Sequence, residues 1–69
     1  STASMCTEIK KLGIEVYTVL YNTTASSVVN LFTNCATRKE NFFMASDVAS
    51  LKSAFSAIGQ SVSGVRLTD

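Results

Sequence analysis

Met5, Ile9 and Leu12 recur at helical spacing with Glu8, Lys10 and Lys11 between them. The pattern predicts a helix from about Ala3 to Leu12, with Gly13 as its stop. The spacing then changes. Ile14, Val16, Val19 and Leu20, interleaved with Tyr17, Thr18 and Tyr21, form a β-branched and aromatic run whose one charge is Glu15. Such a run predicts a core strand over Ile14 to Tyr21, covered on both faces. Asn22 to Ala25 reads as a loop and Ser26 or Ser27 as a cap, after which Val28, Leu31, Phe32 and Cys35 make the apolar stripe of a second helix ending at Cys35 or Ala36. A polar stretch, Thr37 to Asn41, separates this helix from the short apolar run Phe42 to Ala45, which predicts a second, buried strand. Ser46 and Asp47 are capping residues. Beyond them Val48, Leu51, Phe55, Ile58, Val62 and Val65 step by three and four as a third helix. Gly59 and Gly64 each weaken that helix by about 1 kcal/mol relative to alanine, so packing has to sustain it. Arg66 to Asp69 reads as a tail or a short extra strand.

Helix, strand, helix, strand, helix is the order of an α/β segment in which the two strands and the helix between them form a right-handed βαβ unit with parallel neighbours. Two parallel strands are not stable alone, because parallel sheets persist by being covered on both faces. The sheet is therefore expected to be incomplete. Other chains complete it, or the segment closes a larger doubly wound domain. All 69 residues belong to one small domain, since that length is near the lower limit for a single core.

Composition narrows the function classes. A net charge of +1 with 16% charged residues gives no basic excess for nucleic acid. Lys10 and Lys11, and Arg38 and Lys39, read as a solvated helix face and a charged turn. No apolar run reaches the roughly 18 to 20 residues of a membrane span, and 46% apolar content without proline argues for a folded chain. Catalysis is not expected. The chain has no histidine to activate Cys6 or Cys35, and Ser46, Ser50, Ser53, Ser56, Ser61 and Ser63 fall mostly on the polar side of the third helix. Gly13, Gly59 and Gly64 build no phosphate-binding loop, so no cofactor is implied. Glu8, Glu15, Glu40, Asp47 and Asp69 are scattered, whereas a hard cation needs several converging oxygens, and Asp47 reads as a helix cap instead of a metal ligand. Asn22-Thr23-Thr24 matches a glycosylation sequon, a short pattern of little weight. At the carboxyl ends of the strands, Asn22 to Ser27 and Ser46 to Asp47 offer at most a partial, uncharged rim of a binding face.

The run CTEIKKLGIEVYTVLYN, then LFTNCA, then NFFMASDVASLKSAFSAIGQSVSGVRLTD resembles the C-terminus of TadG-like proteins of the tight-adherence (Flp) pilus system, which end in a von Willebrand factor A-like domain. The resemblance spans Cys6 through Thr68. It is carried by Cys6, Ile9-Lys10, Gly13-Ile14, Val16-Tyr17-Thr18, Cys35-Ala36, the stretch Phe43 to Asp47, Phe55, Ile58 and Arg66-Leu67. It implies that the two strands close a doubly wound sheet whose other strands lie N-terminal. The family's metal site is built on an upstream Asp-x-Ser-x-Ser loop that these residues lack, so no metal ligand is carried over. It further implies a periplasmic or cell-envelope location, protein partners in pilus assembly or adhesion, and contact with a membrane only through an N-terminal anchor.

Cys6 and Cys35 remain. Counted along the expected elements, the two lie at heights of about 10 and 11 Å above Gly13, which is compatible with a bridge. Two buried reduced thiols are equally compatible with the residue type. The extracytoplasmic location implied by the resemblance favours the disulfide. Three readings follow. The first is a non-enzymatic interaction module of a pilus or adhesion protein. The second is a self-contained α/β protein that homodimerises through either strand or the third helix. The least favoured is a thiol-redox protein using Cys6 and Cys35, which lack an activating neighbour.

Overall fold

The computed structural model describes residues 1–62. In chain order these form α1 (Thr2–Lys11), β1 (Thr18–Tyr21), α2 (Ser26–Cys35), a 3-10 turn (Lys39–Asn41), β2 (Phe42–Ala45) and α3 (Val48–Ser61). The fold is α/β, with three helices and a two-stranded parallel sheet in which Thr18 pairs with Phe42, Val19 with Phe43, Leu20 with Met44 and Tyr21 with Ala45. Gly64, Val65 and the end Arg66 to Asp69 lie outside the described residues.

Local chemistry explains most boundaries. The Ser1 hydroxyl accepts from the Ser4 amide and caps α1, which begins at Thr2 instead of Ala3. Gly13 stops the helix in a left-handed conformation at φ 81°, its amide bonded to the Lys10 carbonyl. At α2 the expected serine cap is absent. Ala25 is the N-cap, without a side-chain bond, because the helix starts early enough to take Ser26 and Ser27 into its first turn. Asp47 caps α3 through a capping box: its carboxylate accepts from the Ser50 amide, and the Ser50 hydroxyl accepts from the Asp47 amide.

The first strand is half the expected length. Ile14 to Tyr17 are outside the ladder, because the polar groups of Val16 are taken by the loop that follows α2: its amide donates to Thr37 Oγ1 (2.6 Å), and its carbonyl accepts from the Thr37 amide (3.0 Å) and Asn41 Nδ2 (3.1 Å). The ladder therefore starts at Thr18. Parallel pairing puts Thr18, Leu20, Phe42 and Met44 on one face of the sheet and Val19, Tyr21, Phe43 and Ala45 on the other. α2 lies on the first of these, where Thr18 Oγ1 donates to the Phe32 carbonyl (2.8 Å). α3 packs chiefly on β2, and α1 touches α2.

Coverage of the sheet is partial, contrary to the expectation from the apolar run. Among the described residues the buried ones are Cys6, Leu20, Ala36, Asn41, Ala45 and Ala54, mostly small. Met44, in the second strand, is 49% exposed. The helical stripes are also less buried than their spacing predicts, with Met5, Leu12, Val48 and Phe55 exposed. α1 buries Cys6 and α3 buries Ala54, neither of them a large stripe residue. A sheet of two strands is too narrow to cover three amphipathic helices.

Candidate functional site

Three constellations gather the chemically interesting residues. The first joins α1 to α2. Cys6 is the buried residue of α1 and Cys35 ends α2, and the structure brings them to disulfide distance with Cα atoms 5.2 Å apart across 29 residues of sequence. One turn further along α1, Lys10 Nζ donates to the carbonyls of Asn34 (2.6 Å) and Ala36 (3.5 Å). An ammonium at the end of α2 meets carbonyls that lack helical partners and the negative end of the helix dipole. A recess of about 120 Å³ beside the sulfur atoms is lined by Ala3, Thr7, Leu31 and Asn34 as well as the cysteines. None of these lining residues is a base or a cation, and the bond ties α1 to α2.

The second constellation centres on Glu15. Its Oε2 accepts from Arg38 (2.6 Å) and from Asn41 Nδ2 (3.0 Å), and the same amide reaches the Val16 carbonyl. Asn41 is 2% exposed. The hydrogen bond from Asn41 holds the Glu15 carboxyl below its ordinary range against desolvation, with lesser help from the Arg38 charge and the Tyr17 hydroxyl. Desolvation and the neighbouring Glu15 charge raise Tyr17. The exposed Arg38 adds little by itself, but the buried amide and the Val16–Thr37 bonds tie the entry of β1 to the loop preceding β2.

The third is the rim at the carboxyl ends of the strands. Asn22, Thr23, Thr24, Met44, Ala45 and Ser46 line an open cleft of about 370 Å³. Asn22 adopts a left-handed turn at φ 57°, its amide bonded to the Ala45 carbonyl (2.7 Å). The rim thus brings Asn22 and Ser46 together, whereas Ser26 and Ser27 belong to α2 and do not line it. Asp47 is committed to its cap, and the bonds from the Ser50 amide and hydroxyl lower its carboxyl. No cluster of three or more potential metal ligands occurs among the described residues. The cleft thus places neutral hydroxyls and an amide around the apolar Met44 and Ala45.

The sequence reading passed over Thr37 and Asn41 as parts of a polar connection. Their only signal is that two short hydrogen-bonding side chains bracket the charges Arg38, Lys39 and Glu40 immediately before an apolar strand. No helix among the described residues is long and apolar enough to cross a membrane.

Taken together, these features define a small α/β protein organised on a parallel βαβ unit, with α1 tethered at its side. No family profile, curated protein or solved structure matches the chain.

Proposed function

We propose that this chain is a non-enzymatic structural and interaction module, the closing part of a von Willebrand factor A-like domain of TadG type, serving pilus assembly or adhesion at the cell envelope. The observation that carries the reading is the parallel pairing of β1 and β2 across α2, with α1 joined to α2 through Cys6 and Cys35. That is the arrangement expected of the last strands of a doubly wound sheet, and parallel strands with partly bare faces call for further layers. A cystine joining secondary elements suits an oxidising compartment such as the periplasm. The neutral rim of Asn22, Thr23, Thr24 and Ser46 would be one side of a protein-binding face.

The test is the reading frame upstream of Ser1. It is expected to continue into further strand–helix units carrying an Asp-x-Ser-x-Ser loop and a membrane anchor. A start codon immediately before Ser1 overturns the proposal.

A further inference from the structure

The two strands expose their edges unequally. In a parallel ladder each residue directs its N–H and C=O to the same side, alternating along the strand. The Asn22 amide donates to the Ala45 carbonyl, and with the observed register this turns Thr18, Leu20 and Asn22 toward β2. Tyr17, Val19 and Tyr21 therefore present their backbone groups to the outer edge of β1. On β2 the outward residues are Phe42, Met44 and Ser46. There the Phe42 amide is bonded to the Lys39 carbonyl and the Ser46 amide to Ser50 Oγ, so the edge is consumed at both ends. It is also flanked by Arg38, Lys39 and Glu40, the kind of charge that blunts an edge. On the β1 edge only the Tyr21 carbonyl is engaged among the described residues, by Thr23 Oγ1 (3.3 Å), which leaves the outward groups of Tyr17 and Val19 and the Tyr21 amide open. Among the described residues none donates to or accepts from the backbone of Val19 on that side, and the sequence from Val16 to Thr37 contains no charge and no proline.

We propose that a second copy of this chain occupies the β1 edge, pairing antiparallel about a two-fold axis through Val19. The strand is self-complementary in this arrangement. Tyr17-Thr18-Val19-Leu20-Tyr21 reads aromatic, valine, aromatic at its outward positions in both directions. Val19 faces Val19 of the other copy, and Tyr17 faces Tyr21. Each facing pair exchanges both backbone bonds, and the aromatic pairs lie side by side on one face of the resulting four-stranded sheet. An isologous contact requires one patch to match itself, and the absence of charge along β1 means that no like charges meet across the axis. This inference competes with the pilus reading for one edge, since an upstream strand of a larger doubly wound sheet would lie against β1; the pairing proposed here is that of residues 1–69 by themselves, so a dimer of these residues leaves the upstream reading frame as the separate test of the pilus reading.

Sedimentation equilibrium of the oxidised chain tests it. The mass is expected to rise from 7.4 kDa toward twice that value with concentration. Chemically synthesised chain with an N-methyl group on Val19, which removes only an outward donor, is expected to lose the dimer and keep its far-ultraviolet circular dichroism. The same group on Met44 is expected to leave the dimer intact. Should methylation at Val19 unfold the chain, Val19→Lys and Val19→Glu serve instead, each monomeric alone and forming a one-to-one heterodimer when mixed. A parent chain that stays monomeric at every concentration overturns the proposal, as does a dimer lost on methylation of Met44 and unaffected at Val19. A monomer whose Val19 amide is protected from hydrogen exchange also overturns it, because a segment of the same chain then holds the edge.

Discussion

Reducing the bond between Cys6 and Cys35 is the perturbation with the largest expected effect on stability. The separation of 29 residues converts, in the chain-entropy treatment of a cross-link, to about 3.5 kcal/mol of stabilisation through the unfolded state. A core of this size rarely supplies more than about 3–5 kcal/mol, so the tether is comparable to everything else that holds the fold. Local structure adds to the effect. α1 has ten residues, buries only Cys6, and is otherwise held to α2 by Lys10. A free helix of that length is marginal in water, so loss of the cross-link should release α1 first. Urea titration followed by far-ultraviolet circular dichroism, with and without reductant and on the Cys6→Ala/Cys35→Ala double variant, measures the change. With a urea dependence near 1 kcal/mol per molar for a small domain, the midpoint should fall by about 3 M. A midpoint unmoved by reduction would refute the reasoning, and so would alkylation of both cysteines in the unreduced protein.

Glu15 makes the fold sensitive to acid. Its carboxyl is lowered from the ordinary 4.5 in the folded chain, so the stability it contributes is fully present above 4.5 and is lost as pH falls through the lower folded value. Urea midpoints measured at decreasing pH should show this loss, and Glu15→Gln should reduce its slope. Asn41→Ala removes the buried amide shared by Glu15 and Val16 and is expected to cost about 1–3 kcal/mol in the same titration at neutral pH. Asp47→Ala breaks the capping box and should cost about 1 kcal/mol, whereas Asp47→Asn should retain most of the cap. Equal losses in the two Asp47 variants would assign the effect to charge instead of to the hydrogen bond.

Periodicity and breakers made the order of elements legible, because Gly13 and Asp47 act locally: one takes up a left-handed turn and the other bonds the first turn of α3. Strand length was not legible in the same way. Ile14 and Val16 are as β-prone as Val19, and what removes Val16 from the ladder is Thr37, 21 residues further on. Burial was misjudged for a related reason. A stripe such as Val48, Leu51 and Phe55 states that a helix has an apolar face, but only the width of the sheet decides how much of it is covered, and Phe55 remains 59% exposed. At the candidate rim, Asn22 and Ser46 were anticipated from their position after the strands. Thr37 and Asn41 were not, since a polar residue in a charged connection carries no mark of the partner it will meet.

The tether between α1 and α2 has a mechanical consequence. Tension applied on the N-terminal side of Cys6 and the C-terminal side of Cys35 would pass through the sulfur atoms directly from one to the other. The path between them, a sequence separation of 29 that holds β1 and all but the last residue of α2, carries no load. At about 3.5 Å per extended residue it conceals roughly 100 Å of length that force cannot draw out until the bond is cleaved. The redox state of two sulfur atoms thereby sets how far this protein can stretch.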